Sequence, residues 1–293
     1  MVHISEEGKF NDNSYLIDGY IFRLPKHLAI YIIENEGMRM MLDTGVPLAA
    51  RKVVKKLKEF GLFPIQKLLL THSHWDHVQA YGRLKKLMGD FETLASENAI
   101  EKLREPDKIN KVYGYDIEPI LDDVTLLKDG NIINLNGLEL EVLNFFGHTM
   151  DSIAILDRKN KNLFLGDAII DRYDSETFHC TYMPSEFNEE ETIKTFQKLR
   201  ELKDQLNSVS LNHFGVWTDE GFNQILNEME DLHHKTKESI KQWYNENPSI
   251  EYIASKYHET FIPNSTIHTK ENLLGLQLVM EWLVEGLKIS GFI

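Results

Sequence analysis

The 293-residue chain is long enough to bury a large core, and its 42% hydrophobic and 27% charged residues are typical of a globular protein. A formal net charge of −14 at pH 7 disfavours a nucleic-acid partner, because phosphate backbones repel an acidic surface. The single cysteine, Cys180, excludes an internal disulfide and a cysteine-rich metal site, so metal chemistry would depend on histidines and carboxylates.

Strand-like runs alternate with helical periodicity over the first three quarters of the chain. Apolar, β-rich runs recur in MRMMLDTG, KLLLTHSH, FETLAS, IAILDRKNKNLFLGDA and SVSLNHFG. Helices are predicted from Pro47 to Gly61, from near His77 to Gly89 and from about 188 to 206. The Asn136-Gly137 pair lies between two strand-like runs and predicts a hairpin. Interleaved strands and helices predict a layered α/β fold.

From about residue 219 the pattern changes to helices only, predicted at about 219–245, 249–258 and 270–290. We therefore divide the chain into a domain over 1–218 and a helical extension over 219–293. The acidity of the extension weakens a DNA-binding interpretation. Packing on the domain, covering its site or forming a homodimer are the roles that remain open. The polar N-terminus and the absence of a long apolar run predict neither a secretory signal nor a membrane span, hence a cytoplasmic location.

Potential metal ligands stand at the ends of four different predicted strands. His72 follows KLLLT, His148 follows LEVLNFF by one glycine, Asp167 ends NLFLG and His213 ends SVSLN. Open α/β sheets build their sites at such strand ends. His72 and His74 are two residues apart and would point the same way in an extended segment. With Asp76 and His77 on the following turn, the segment THSHWDH could contribute to two ions.

Other polar residues have simpler interpretations. Asp43 in LDTG could be no more than a strand-terminating turn residue. Six other histidines, His3, His27, His233, His234, His258 and His268, are interpreted as surface or hydrogen-bonded core residues. His179 is interpreted as a surface residue rather than a proton donor.

The order LDTG, THSHWDH, GHT, GDA and NHFG resembles the metallo-β-lactamase superfamily over residues 1 to about 218. The resemblance implies a four-layer αβ/βα sandwich, here with the C-terminal all-helical extension. It also implies one metal site formed by His72, His74 and His148, a second formed by Asp76, His77 and His213, and Asp167 as the bridge between them. Asp43 would orient a ligand from behind.

Imidazole and carboxylate ligands suit two divalent ions, with zinc favoured and iron or manganese also compatible. Such a pair can hold a bridging hydroxide as nucleophile and polarise the scissile group. Asp76 is the candidate catalytic side chain, since it could carry a proton toward the leaving group. The predicted activity is hydrolysis of a small ester, thioester or lactone.

Several departures narrow the function. The residues VQAY after the motif differ from the glycine-rich sequence of glyoxalase II, which disfavours hydroxyacylglutathione as substrate. Lactonases of this superfamily carry a tyrosine three residues after the bridging aspartate, where this chain has Ile170, with Tyr173 three residues further on. The segments DGYIFRLPKH, expected as a hairpin flap, and DRYDSETFHCTYMP are predicted to wall the pocket. Their candidate substrate contacts are Tyr20, Phe22, Tyr173, Phe178 and Tyr182. The rival functions are a phosphodiesterase on the same metal pair, a mononuclear iron persulfide dioxygenase and, least favoured, a non-catalytic scaffold.

Overall fold

The computed structural model describes residues 3–293, which form fourteen β-strands and nine α-helices. The strands are β1 (His3–Ile4), β2 (Gly8–Lys9), β3 (Ser14–Asp18), β4 (Ala29–Asn35), β5 (Met38–Leu42), β6 (Lys67–Leu70), β7 (Glu92–Ser96), β8 (Val124–Leu127), β9 (Ile132–Leu135), β10 (Leu138–Asn144), β11 (Ile153–Asp157), β12 (Asn162–Phe164), β13 (Ser208–Leu211) and β14 (Gly215–Thr218). The helices are α1 (Ala50–Glu59), α2 (Trp75–Val78), α3 (Tyr81–Met88), α4 (Ile100–Arg104), α5 (Asp107–Asn110), α6 (Glu189–Leu202), α7 (Glu220–Glu246), α8 (Ile250–Phe261) and α9 (Leu274–Ile289).

Two seven-stranded sheets form the centre of the fold. One has the order β2-β3-β4-β5-β6-β7-β8 and the other β1-β14-β13-β12-β11-β10-β9. Apolar side chains of both sheets, among them Tyr31, Leu69, Leu140 and Phe164, form one buried core between them. The predicted hairpin is confirmed, because β9 and β10 pair in antiparallel fashion around Asn136 and Gly137.

Helices cover the outer face of each sheet. Residues of α1 and α3 pack on the first sheet, and residues of α6 and α7 pack on the second. The helix layers and the two sheets therefore make the predicted four-layer αβ/βα sandwich, followed by C-terminal helices. None of the described helices is long and apolar enough to cross a membrane.

The helix expected from near His77 to Gly89 is divided into α2 and α3. The division has a local cause, since the amide of Ala80 donates to Gly45 O at 3.0 Å and to Thr44 Oγ1 at 3.1 Å instead of continuing a helical ladder. The short helix α2 holds Asp76 and His77 against the end of β5. The helix expected from Pro47 begins only at Ala50.

The C-terminal helices share a core with loops of the sandwich. Side chains of α7, α8 and α9 pack with Trp75, Tyr113 and the 178–187 segment in one buried cluster. The extension is thus seated directly on the segments that surround the ends of β6 and β12. The boundary at residue 218 coincides with the end of β14 and stays a prediction as a domain division.

Candidate active site

The histidine-rich motif follows the C-terminal end of β6 in the first sheet. His72 follows β6 by two residues, His74 precedes α2, and Asp76 and His77 occupy the first turn of that helix. All four side chains are buried. The local reason is the abrupt change from the apolar strand KLLL to a short helix, which turns successive polar side chains toward one point.

The remaining predicted ligands arrive from the other sheet. His148 follows β10, Asp167 follows β12 and His213 follows β13. One carboxylate oxygen of Asp167, Oδ2, faces the Nε2 atoms of four imidazoles: His213 at 3.2 Å, His77 at 3.4 Å, His148 at 3.6 Å and His72 at 4.0 Å. Asp167 therefore lies between the two halves of the cluster, the position expected of a bridging ligand.

Three overlapping groups within the cluster bring ligand atoms within 4.8 Å of one another. They are His72, His74 and His148; His72, His77 and Asp167; and Asp76, His77 and His213. Within the described residues, the buried atoms His72 Nε2, His77 Nε2 and Asp167 Oδ1 make no hydrogen bond. Buried polar atoms are normally satisfied, so these atoms fit metal ligands. The donor set suits divalent zinc, iron or manganese.

Hydrogen bonds fix which nitrogen four of the five histidine rings offer to the centre. Four rings present one nitrogen to a protein oxygen: His148 Nδ1 to Thr181 O at 2.8 Å, His213 Nδ1 to His27 O at 2.8 Å, His77 Nδ1 to Asp43 Oδ2 at 2.9 Å and His74 Nε2 to Pro184 O at 3.2 Å. Because a carbonyl or carboxylate oxygen accepts, each of these nitrogens is the N–H. The other nitrogen of a neutral ring then carries the lone pair that a metal needs.

The electrostatics of the centre favour a cation. Burial lowers the pKa of His72, His74 and His148, which keeps these rings in the neutral form that binds metals. At His77 burial acts in the same direction, but the nearby carboxylates outweigh it and raise the pKa well above its usual value. The pKa of Asp167 is held well below its ordinary value despite burial, because His213 and His77 lie beside it.

Asp43 supports the cluster from behind. It is buried at the end of β5, where its carboxylate accepts from Thr71 N at 2.7 Å, Thr71 Oγ1 at 2.8 Å and His77 Nδ1 at 2.9 Å. Asn212, beside the predicted ligand His213, donates to the same carboxylate at 2.5 Å. Asp43 therefore ties the ends of β5, β6 and β13 together. These contacts go beyond those of a simple turn residue.

Five residues of the cluster form one wall of a cavity of about 380 Å³; they are His74, Asp76, His148, Asp167 and His213. Most of the other walls are apolar, and they include Ile21, Phe22, Trp75, Ile170 and Met183. The helical extension contributes a further side through Ile267, His268, Asn272, Gly275, Leu278, Val279 and Trp282. The extension thus covers the candidate site, one of the roles left open by its sequence.

Only two of the five predicted substrate contacts line the cavity. Phe22 and Tyr173 do so. Phe178 and Tyr182 instead lie in the core shared with the extension, and the Lys52 ammonium lies over the Tyr20 ring at 3.2 Å. The segment DGYIFRLPKH does not form the expected hairpin flap. The residues between β3 and β4 include a short 3₁₀ turn, Ile21–Arg23, instead of an extension of the two paired strands.

Sequence reasoning missed three cavity histidines. His27, His179 and His268 all line the cavity. The sequence instead predicts a surface position for His179 and surface or hydrogen-bonded core positions for the other two. A signal for His179 was present in its spacing. In the segment FHCTYM the aromatic residues Phe178 and Tyr182 have even residue numbers and share one face of an extended segment, whereas His179 occupies the other face.

The family model described as the metallo-beta-lactamase superfamily matches residues 27–208. The chain belongs to this superfamily. The matched range includes six of the seven predicted metal ligands and ends before His213.

Curated superfamily relatives match part of the chain. The hydroxyacylglutathione hydrolase GloC of Haemophilus influenzae is 31% identical over 140 residues, which are 47% of this chain and 64% of that protein. The human acyl-coenzyme A thioesterase MBLAC2 is 24% identical over 183 residues, 55% of this chain and 64% of that protein. The chain thus spans less than two thirds of each of these relatives.

Solved superfamily structures match almost the whole chain. A metallo-beta-lactamase family protein from Thermus thermophilus has a TM-score of 0.68 at 19% identity and covers 96% of this chain and 95% of its own. A beta-lactamase domain protein from Burkholderia ambifaria has a TM-score of 0.66 at 15% identity, with 98% and 89% covered. These similarities support the fold, including the region of the helical extension.

Replacing Asp43 with asparagine tests whether this superfamily centre depends on its supporting carboxylate. Asparagine lacks the negative charge of aspartate, and its NH₂ group would face the hydrogen-bond donors that surround Asp43. We therefore expect metal affinity to fall about 10-fold to 100-fold. Competition with a chromogenic chelator measures the affinity. Asp157→Asn is the matched control, since Asp157 is equally buried but bonds to Asn160, away from the centre. Equal metal affinity in both variants would contradict the assigned role.

Proposed function

We propose that the protein is a dinuclear metal-dependent hydrolase of a thioester with a small apolar acyl group. One observation carries the proposal: seven buried imidazole and carboxylate side chains form one cluster, and five of them line a largely apolar cavity. When bound, two divalent ions, with zinc favoured, supply an activated water and polarise the scissile carbonyl. The chain supplies the ligands, orients them through Asp43, Thr181 and Pro184, and shields the reaction from bulk water with α9.

Asp76 is the side chain proposed to move a proton. Asp76 lines the cavity, and its Oδ2 lies 3.4 Å from His213 Nε2. It is therefore the carboxylate of the second ligand group that borders the space for a substrate. Transfer of a proton from the attacking water toward the leaving thiolate is the step we assign to it.

Three considerations favour a thioester hydrolase over the rival functions. The relatives described above carry the names of enzymes that act on hydroxyacylglutathione and acyl-coenzyme A, both of which are thioesters. Among the described residues, no lysine or arginine lines the cavity, so a phosphodiester would meet no cationic side chain there. A complete second ligand group, Asp76, His77 and His213, argues against a mononuclear iron dioxygenase.

The proposal is tested with a panel of substrates and the metal-loaded full chain. S-butyryl-N-acetylcysteamine, γ-butyrolactone and bis(p-nitrophenyl) phosphate represent the thioester, lactone and phosphodiester classes. We expect thiol release from the thioester, lost in His74→Ala and retained in His234→Ala, because His234 is exposed on α7 away from the cavity. Turnover of the phosphodiester alone would overturn the thioester assignment.

A further inference from the structure

Three histidines outside the metal cluster line one side of the cavity. His27 belongs to the β3–β4 loop, His179 to the segment after Asp167, and His268 to the connection before α9. In the part of the chain that the structure describes, the Nε2 atom of each ring is buried and makes no hydrogen bond. His268 as a whole is only 7% exposed. Three separate parts of the chain thus place histidine rings with an unsatisfied Nε2 around one cavity.

We call His27, His179 and His268 the histidine row. The row adjoins the metal cluster through Tyr173. The Tyr173 ring stacks on His27 at 5.0 Å between centroids and contacts His179 at 5.0 Å. The same tyrosine lies 6.0 Å from His213, and His179 lies 5.9 Å from His268. A molecule whose reacting carbonyl is at the metal cluster would therefore extend past Tyr173 toward these histidines.

Packing alone does not explain these residues. A buried ring nitrogen without a hydrogen bond is destabilising, and an aromatic hydrocarbon would fill the same space without that cost. The fold also makes room for one of the rings, since a Cβ on Gly275 of α9 would lie 3.2 Å from His268 Cε1. Among the described residues, the groups close enough to share one metal ion do not include this row. Recognition of a bound molecule is the function that fits.

Hydrogen bonding restricts the group that can bind. His27 Nδ1 lies 2.7 Å from Pro25 O and must donate to it, so the neutral ring has its lone pair at Nε2. His179 and His268 can each adopt either tautomer. Burial lowers the pKa of both, which disfavours cationic rings and hence an anionic partner. A carboxylate or phosphate, which only accepts, would place its oxygen against the His27 lone pair.

We propose that this row binds a secondary amide in the thiol arm of the substrate, with the amide N–H donating to His27 Nε2 and the amide oxygen accepting from His179 or His268. The inference rests on the proposed thioesterase function for the reacting end of that substrate. It adds the class of leaving group, a thiol with an amide close to the sulfur.

The first test compares two thioesters that differ in one group. S-butyryl-N-acetylcysteamine has an amide N–H where the S-butyryl thioester of 5-mercaptopentan-2-one has CH₂. We expect kcat/KM of the metal-loaded chain to be about fivefold to tenfold higher for the amide, the worth of one hydrogen bond. His27→Phe should abolish this preference and His27→Asn, which retains an acceptor, should restore part of it. His234→Phe is the control and should keep the preference.

The second test does not depend on turnover. N-propylbutanamide and octan-4-one form the same N–H against CH₂ pair, and Trp75 and Trp282 in the cavity wall report their binding by fluorescence. Tighter binding of the amide that is lost in His27→Phe supports the inference, whether or not a thioester is hydrolysed. Failure to hydrolyse any thioester would overturn only the proposed function. Equal binding of the two probes, or a preference that survives in His27→Phe, would overturn the inference.

Discussion

Replacing Asp167 with asparagine is expected to lower kcat/KM for thioester hydrolysis by about 10³-fold, equivalent to about 4 kcal/mol of transition-state stabilisation. The amide keeps the size of the side chain but removes the charge that faces four imidazole nitrogens within 4.0 Å. The variant should also bind less metal. Steady-state thiol release and elemental analysis of the same preparation measure the two effects.

Asp171→Asn is the matched control for this change. Asp171 lies four residues further along the same segment, is also buried and accepts from Trp217 Nε1 at 2.8 Å instead of facing the cluster. We expect near-normal turnover and metal content in this control. An Asp167→Asn variant with unchanged turnover and metal content would show that the carboxylate is not a ligand.

Replacing Gly286 with alanine is expected to lower the free energy of unfolding by about 2 to 3 kcal/mol. A Cβ there would lie 2.2 Å from Tyr182 O and 2.7 Å from Tyr182 C, so backbone rather than a flexible side chain must move. The neighbouring carbonyls of Thr181 and Pro184 hold His148 and His74. We therefore also expect metal affinity to fall about tenfold or more. Chemical denaturation and chelator competition measure the two effects.

Gly82→Ala is the control for a helical glycine with a close neighbour. Its Cβ would meet Glu118 Oε2 at 2.6 Å, the end of a flexible side chain that can rotate away. We expect a change of no more than about 1 kcal/mol in stability, with the gain in helix propensity offsetting the contact. If Gly286→Ala changes stability and metal affinity no more than this control does, then the packing of α9 on Tyr182 does not support the metal centre.

The sequence carries strong information on the ligand cluster because each ligand is tied to a strand end. His72, His148, Asp167 and His213 follow apolar runs whose termini are readable from local pattern. The family motifs then place these ends at one edge of the sandwich. The four-layer fold and the meeting of these side chains could both be predicted on this basis.

The cavity walls could not be predicted in the same way. Whether His268 reaches His179 depends on how the extension packs on the 178–187 segment, and no local pattern encodes that contact. Phe178 and Tyr182 looked suitable for substrate binding because they are aromatic, but the direction of the extended segment buries them under α8 and α9. The same orientation of the segment places His179 at the cavity. The orientation of the segment therefore determines which side chains line the cavity more than residue type does.

The most direct test of the central claim is the metal stoichiometry of the purified full chain, measured together with thioester turnover. We predict two divalent metal ions per chain, loss of thiol release when a chelator removes them, and recovery when zinc is restored. One iron per chain with oxygen uptake and no thioester hydrolysis would contradict the account.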